Sequence, residues 1–226
     1  MKNILVMKGA RKFVEVCTKV KAGEDVLIVT NPSNLEIAET LACASYERGA
    51  EPEIIVMMPR EMDGQEPPKP IAAAMKEADI VFTPVTRSIT HTRAIMEAAQ
   101  SGARILVMTA ITEDQMISGG IEADFEKQAA VCKRVAQLLS NGRSIRITTA
   151  KGTDIKANIE GRRGLALTGI ADEPGKFSTA ITIEANIGPI EGSSEGQIVA
   201  DASVPYIGIG VLRLSLIHIS EPTRPY

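Results

Sequence analysis

Four short aliphatic runs, each followed by a stretch of helical periodicity, constrain this chain more than any other feature. They are residues 26–29 (VLIV), 53–58 (EIIVMM), 80–83 (IVFT) and 104–109 (RILVMT). Unbroken runs of this length fit strands buried on both faces. Phe13, Val14, Cys17 and Val20 recur at helical spacing ahead of the first run. Asn31-Pro32-Ser33-Asn34 offers N-caps for a helix reaching about Arg48, closed by Gly49. Further helices are predicted around Ala72, Ala73 and Met75, from the loop at Ser88 to Gln100, from Thr112, and over 124–139. Strands alternating with helices through short connections predict an α/β domain, a parallel sheet with helices on both faces. Ligands in such folds sit beyond the carboxyl ends of the strands. Those ends are Thr30-Asn31, Met57-Met58, Thr83-Pro84 and Thr109-Ala110.

The texture changes after Asn141-Gly142. Residues 144–149 (SIRITT) and 154–159 (DIKANI) alternate with period two around Ala150-Lys151-Gly152-Thr153, which predicts a hairpin. Short strands are also predicted over 181–185 and 197–200. The expected organisation is an α/β N-terminal domain over 1–142 and the start of a β-rich second domain over 143–213. Residues 214–226 (LSLIHISEPTRPY) lack periodic logic, and Leu214 to Arg224 are similar to the in-frame translation of a sequencing-library transposon adapter. The native sequence is therefore expected to diverge after about Arg213, so that His218 carries no biological meaning.

Composition narrows the function classes. With 25 basic and 28 acidic residues the net charge is −3, and no stretch is strongly basic. Binding nucleic acid by phosphate neutralisation is not expected. Aromatics are only 3% and Trp is absent, which leaves no stacking platform for bases. Cys17, Cys43 and Cys132 are widely spaced and odd in number, as in a reducing compartment. The N-terminus lacks a signal-peptide pattern and no apolar run is long enough to span a bilayer. A cytoplasmic protein is the expectation.

Few residues carry chemistry. No glycine-rich phosphate loop, H-E-x-x-H or C-x-x-C is present. Gly192-Ser193-Ser194-Glu195-Gly196 matches G-x-S-x-G, but the strand predicted after it makes it a turn and not a nucleophile elbow. His91, in Ser88-Ile89-Thr90-His91-Thr92-Arg93, follows the third strand near the ligand-facing edge. It is a candidate general base or substrate partner. The plain alternative is a residue at a helix start capped by Thr90 or Thr92. Glu184, Glu191 and Glu195 are candidate carboxylates for metal binding or acid–base work. The alternative for them is a set of solvated hairpin turns.

The segments Glu184-Ala-Asn-Ile-Gly-Pro189, Glu191-Gly-Ser-Ser-Glu-Gly196 and Ile198-Val-Ala-Asp-Ala-Ser203 resemble motifs of the thermophilic metallo-aminopeptidase (aminopeptidase T) superfamily. So do Leu165-Ala-Leu-Thr-Gly-Ile170 and Glu173-Pro-Gly-Lys-Phe177. Pro59-Arg-Glu, Gln65-Glu-Pro-Pro-Lys-Pro70, Thr90-His-Thr-Arg93, Ile111-Thr-Glu-Asp114 and Ser118-Gly-Gly-Ile-Glu-Ala-Asp124 look closest to a leucyl aminopeptidase-like branch. That branch includes 2,5-dihydroxypyridine 5,6-dioxygenase, a ring-cleaving enzyme using non-haem iron. The resemblance covers essentially 1–213.

The resemblance implies a metal-dependent enzyme with its metal site mainly in the C-terminal domain. Glu184, in a Glu-x-x-x-x-Pro stretch, is the candidate metal ligand, and His91 is the candidate substrate-side base of the dioxygenase branch. The implied cofactor is a divalent metal, zinc, cobalt or similar in a peptidase and iron(II) in a dioxygenase. Most of its ligands have no counterpart in this chain. The leading expectation is the N-terminal portion of an aminopeptidase acting on peptides. The alternative is an iron dioxygenase acting on a hydroxypyridine-like small molecule. A reading from another class is a non-catalytic small-molecule-binding α/β protein. The 226-residue chain is expected to be inactive by itself, with the full-length protein a homo-oligomer and neither nucleic acid nor membrane a partner.

Overall fold

The computed structural model describes the backbone of residues 2–200 and the side chains of 4–200, with the backbone of three further short strands. Those strands are β11 (Ser203–Val204), β12 (Gly210–Val211) and β13 (Ser215–Ile219). The rest of the tail expected over 214–226 lies outside the described residues.

The chain forms two compact units, and it passes between them more than once. The first is Met1–Cys132 with Leu167–Glu184, and the second is Lys133–Ala166 with Ala185–Tyr226. Where a boundary near 142 is expected from the sequence, the chain leaves the first unit after Cys132 and returns to it over Leu167–Glu184.

The first unit is built on β1 (Asp25–Thr30), β2 (Glu51–Val56), β3 (Ile80–Thr83) and β4 (Arg104–Val107). Its helices are α1 (Lys2–Lys12), α2 (Leu35–Glu47), α3 (Lys69–Glu77), α4 (Arg93–Gln100), α5 (Glu113–Ile117) and the start of α6 (Phe125–Asn141). The remaining numbered strands are β5 (Ser144–Thr148), β6 (Asp154–Asn158), β7 (Leu165–Leu167), β8 (Phe177–Thr179), β9 (Glu184–Asn186) and β10 (Glu195–Ala200).

The sheet order is β2-β1-β3-β4-β8, parallel throughout. Alternation along the strands divides the core in two. Val26, Ile28, Ile80, Phe82 and Leu106 bury against residues of α1 and α2. Leu27, Val29, Val81, Ile105 and Val107 bury on the other face with Ile71, Met75, Ile95 and Ala98 from α3 and α4. Each such side chain contributes roughly 1.5–3 kcal/mol on full burial, an upper figure because unfolded chains already hide some surface.

Three local differences from the sequence reading have physical causes. The first helix begins at Lys2 and continues as a π-helical turn over Phe13–Cys17. Val6 and Ala10 extend the buried stripe of Phe13, Val14 and Cys17 toward the N-terminus. Gly9 lets α1 approach α5, since a Cβ there would overlap the Met116 carbonyl oxygen. The second strand starts earlier than expected, at Glu51-Pro52, because β2 is an edge strand and tolerates a proline. The fifth strand, β8, comes from the segment assigned to the second domain, and Phe177-Ser178-Thr179 carries no aliphatic signature.

In the second unit, β5 and β6 form the predicted hairpin, with Ser144 opposite Asn158 and Thr148 opposite Asp154. The sheet order is β13-β10-β6-β5. Gly196, the second residue of β10, has φ +135°, and a Cβ there would overlap the Asp154 carbonyl oxygen. Elsewhere β7 pairs with β9, and β11 with β12.

Candidate functional site at the carboxyl edge of the parallel sheet

At the carboxyl ends of β1 to β4 the loops are tied to one another by buried polar bonds. Asn31, only 1% exposed, is the central tie. Its Nδ2 donates to the Met57 carbonyl (2.8 Å), and its Oδ1 accepts from the Thr86 amide (2.8 Å) and hydroxyl (3.0 Å). Thr30 Oγ1 donates to the Pro84 carbonyl at 3.0 Å. Ala110, at φ 52°, donates its amide to the Val85 carbonyl at 2.8 Å. Sheet order reverses direction at β1, with β2 on one side and β3 on the other, and a parallel sheet opens a ligand crevice at such a point.

His91 sits on this edge, exposed, in the turn before α4. The turn around it is fastened on each side. Ile89 is fully buried, and Thr92 Oγ1 donates to its carbonyl at 2.6 Å. Thr92, not Thr90, caps α4, accepting from the Ile95 amide. Asp63 and Glu66, in the loop after β2, accept backbone amides of this segment from outside. The Ser88 amide donates to Asp63 at 2.7 Å, and those of Arg93 and Ala94 donate to Glu66 at 2.6 and 3.2 Å. The imidazole is thus presented to solvent on a braced turn.

Beside this edge a cleft of about 730 Å³ opens where α2 and α5 begin, lined by Asn34, Glu36, Glu39, Ile111, Glu113 and Asp114. Thr112 and Gln115 form a capping box at α5. Carboxylates in first helical turns complement the helix dipole, so much of this acidity has a structural role. Several buried polar atoms have no hydrogen-bond partner: Asn34 Nδ2, Thr83 Oγ1, Thr109 Oγ1, Ser178 Oγ and Thr179 Oγ1. Thr83 and Thr179 flank Val107 in adjacent strands and share its face.

The carboxylates expected near the chain's acidic segment are placed separately. Glu184 is exposed at the start of β9, and its carbonyl accepts from Cys132 Sγ at 2.9 Å. Glu191 is bonded by Arg162. Its own backbone amide and that guanidinium hold its carboxyl below the usual range. Glu195 pairs with Lys156 at 3.6 Å. In the Gly192–Gly196 segment a turn at Glu191-Gly192 leads through Ser193 and Ser194 into β10, which starts at Glu195.

Among the described residues no three or more His, Cys, Asp or Glu side chains gather where they could hold a metal ion. These residues alone do not fit the divalent metal that the resemblance implies, and no chemical step is derived through one. Among them, too, no helix is long and apolar enough to cross a membrane.

A family model for 2,5-dihydroxypyridine 5,6-dioxygenase (NicX) matches residues 6–206. The chain belongs to this family. The 2,5-dihydroxypyridine dioxygenase of Pseudomonas putida KT2440 is similar in fold, with a TM-score of 0.76 at 17% identity over 96% of this chain and 65% of that one. So is AmpT of Thermus thermophilus, with a TM-score of 0.60 at 14% identity over 88% of this chain and 65% of that one. This chain therefore spans about two thirds of the length of each. No curated protein sequence matches it. The two fold likenesses agree with the expected α/β fold, a parallel sheet flanked by helices.

Sequence spacing pointed to His91 and to Asn31 as an edge residue. It missed Asp63 and Glu66, whose partners lie 25 to 28 residues away in a different loop. The missed signal was weak: two carboxylates in a proline-rich loop directly after a strand.

Proposed function

We propose that this chain is the N-terminal portion of a metal-dependent, ring-cleaving dioxygenase acting on a hydroxypyridine-like small molecule. The observation that carries this reading is the family match over 6–206, together with an exposed His91 braced on the sheet edge where ligands bind. His91 would take a proton from a ring hydroxyl, acting as a general base. A metal, when bound, would supply open positions for a chelating substrate and oxygen. The ligands for it, with Glu184 a candidate among them, would come largely from the third of the relatives' length that this chain does not span. The full-length protein would be a cytoplasmic homo-oligomer.

A second reading is a metallo-aminopeptidase, which the AmpT fold likeness and the Glu184 to Pro189 stretch support. There the metal would polarise a peptide carbonyl and Glu184 would be a ligand. One scaffold hosts either chemistry by exchange of site residues. The test is an assay of the full-length gene product, loaded with iron(II) or with zinc, against 2,5-dihydroxypyridine and against leucyl peptides. Oxygen uptake coupled to loss of the pyridine supports the first reading. Release of leucine without oxygen uptake overturns it in favour of the second.

A further inference from the structure

We infer that Asp63 and Glu66, in the loop between β2 and α3, are positioning residues for His91. The segment 86–94 is held at nearly every step. Thr86 is bound to Asn31, and Ile89 is anchored in the core. Ser88 is held twice by the neighbouring loop, its amide donating to Asp63 at 2.7 Å and its carbonyl accepting from the Gly64 amide at 2.7 Å. After His91 the chain is caught again, where Glu66 receives the Arg93 and Ala94 amides on its two oxygens.

These amides belong to the first residues of α4, which have no acceptor within the helix. A carboxylate placed there gains from both charge-assisted bonding and the helix dipole. Thr92 already supplies the local cap to Ile95, so Glu66 acts as a second cap delivered from a different loop. The two carboxylates thus fix the chain three residues before and two residues after His91. The proline-rich sequence of the loop limits its own freedom, and the Glu61 amide closes it on Gln65 Oε1 at 2.9 Å. Within 88–94, His91 and Arg93 are the exposed side chains, and His91 lies between the two braced points.

The catalytic meaning of this inference rests on the proposed role of His91, but its test needs no turnover, so the two can fail separately. The chain has two histidines, so its imidazole signals are readily resolved by NMR and assigned with His91→Gln. Glu66→Ala and Asp63→Ala are expected to shift and broaden the His91 ring signals and to speed amide exchange at Ser88, Arg93 and Ala94. Glu66→Gln, which keeps an oxygen for the Arg93 amide, is expected to return the signals toward the wild-type position. Glu61→Ala, whose backbone and not its side chain makes the loop bond, is expected to leave them in place. If Glu66→Ala does not fold, Glu66→Asp withdraws the carboxylate by one methylene and reads the same signals. His91 signals that stay at their wild-type positions in the folded Glu66 and Asp63 variants overturn the inference. So does an equal displacement by Glu61→Ala.

Discussion

Replacing Asn31 with alanine removes three hydrogen bonds from one buried point. The Met57 residue is only 4% exposed, so its carbonyl cannot readily turn to water when the amide donor is gone. An acceptor stranded in this way costs about 1–3 kcal/mol. Thr86 is exposed, and its amide and hydroxyl can be rehydrated. There the loss is the net worth of an ordinary bond, roughly 0.5–1.5 kcal/mol. For the stranded acceptor and the two Thr86 bonds together the sum is about 2–6 kcal/mol, from the upper end of what single substitutions usually do to beyond it. Because the chain contains no Trp, urea unfolding is best followed by far-ultraviolet circular dichroism. The midpoint should fall with the slope unchanged, the sign of lost stability without a change in the surface exposed on unfolding. Asn31→Asp should be worse near neutral pH, since it sets a carboxylate oxygen against the Met57 carbonyl. Its deficit should shrink as acid protonates the new group, because burial raises that group's pKa above its unfolded value. A loss below about 0.5 kcal/mol for Asn31→Ala, the range of indifferent surface changes, would refute the claim that this residue ties the edge together.

Further outcomes follow from individual groups. Burial pushes the Cys17 thiol up to about 12 against a small opposing effect of Lys12, while Cys43 is exposed. Mass spectrometry after brief alkylation should find Cys43 modified and Cys17 protected until urea is added; prompt labelling of Cys17 in the native chain would contradict its burial. Burial opposes the charge of Asp172, but hydrogen bonds from Lys19 and Lys176 prevail and hold its pKa at about 2. Its folded value is depressed, so its stabilising effect is present above the unfolded value of about 3.9 and is lost as pH falls toward 2. Asp172→Asn should therefore flatten the acid limb of the stability curve in that window, and an unaltered limb would count against the pairing. Thr83 is fully buried with an unpartnered hydroxyl, so Thr83→Val should be neutral or stabilising in urea titrations. A clear destabilisation would show that the hydroxyl has a partner. Calorimetric titration of this chain with iron(II) or zinc should show no tight stoichiometric site; a submicromolar site abolished by Glu184→Ala would show that the chain assembles one.

The first four strands were legible because each is an aliphatic run long enough to be buried on both faces. The β5–β6 hairpin was legible because period-two alternation survives where one face is open. Strand β8 was not, since a sheet already formed by four neighbours can recruit a short Ser/Thr segment through backbone bonds alone. Its recruitment is a tertiary event with no local hydrophobic signal. The same division holds at the site. His91 could be found from its place after a strand, while capping chemistry left Thr90 and Thr92 as equal candidates for the cap that Thr92 makes. The braces at Asp63 and Glu66 could not, because exposed carboxylates in a loop look alike until the loop they touch is known. Glu184 lay in a stretch with a recognisable family pattern, yet that pattern fixes a position in the chain and not a set of neighbours. Glu184 is exposed, and no cluster of His, Cys, Asp or Glu that could hold a metal lies among the described residues.

The most direct test of the functional reading is oxygen consumption by the iron(II)-loaded full-length gene product with 2,5-dihydroxypyridine as substrate. Oxygen uptake is expected to match loss of the pyridine ring. His91→Gln is expected to lower kcat by roughly 10²- to 10⁴-fold, the range for removing a general base. Absence of oxygen uptake with the iron site filled, or full activity in the His91 variant, would contradict that reading.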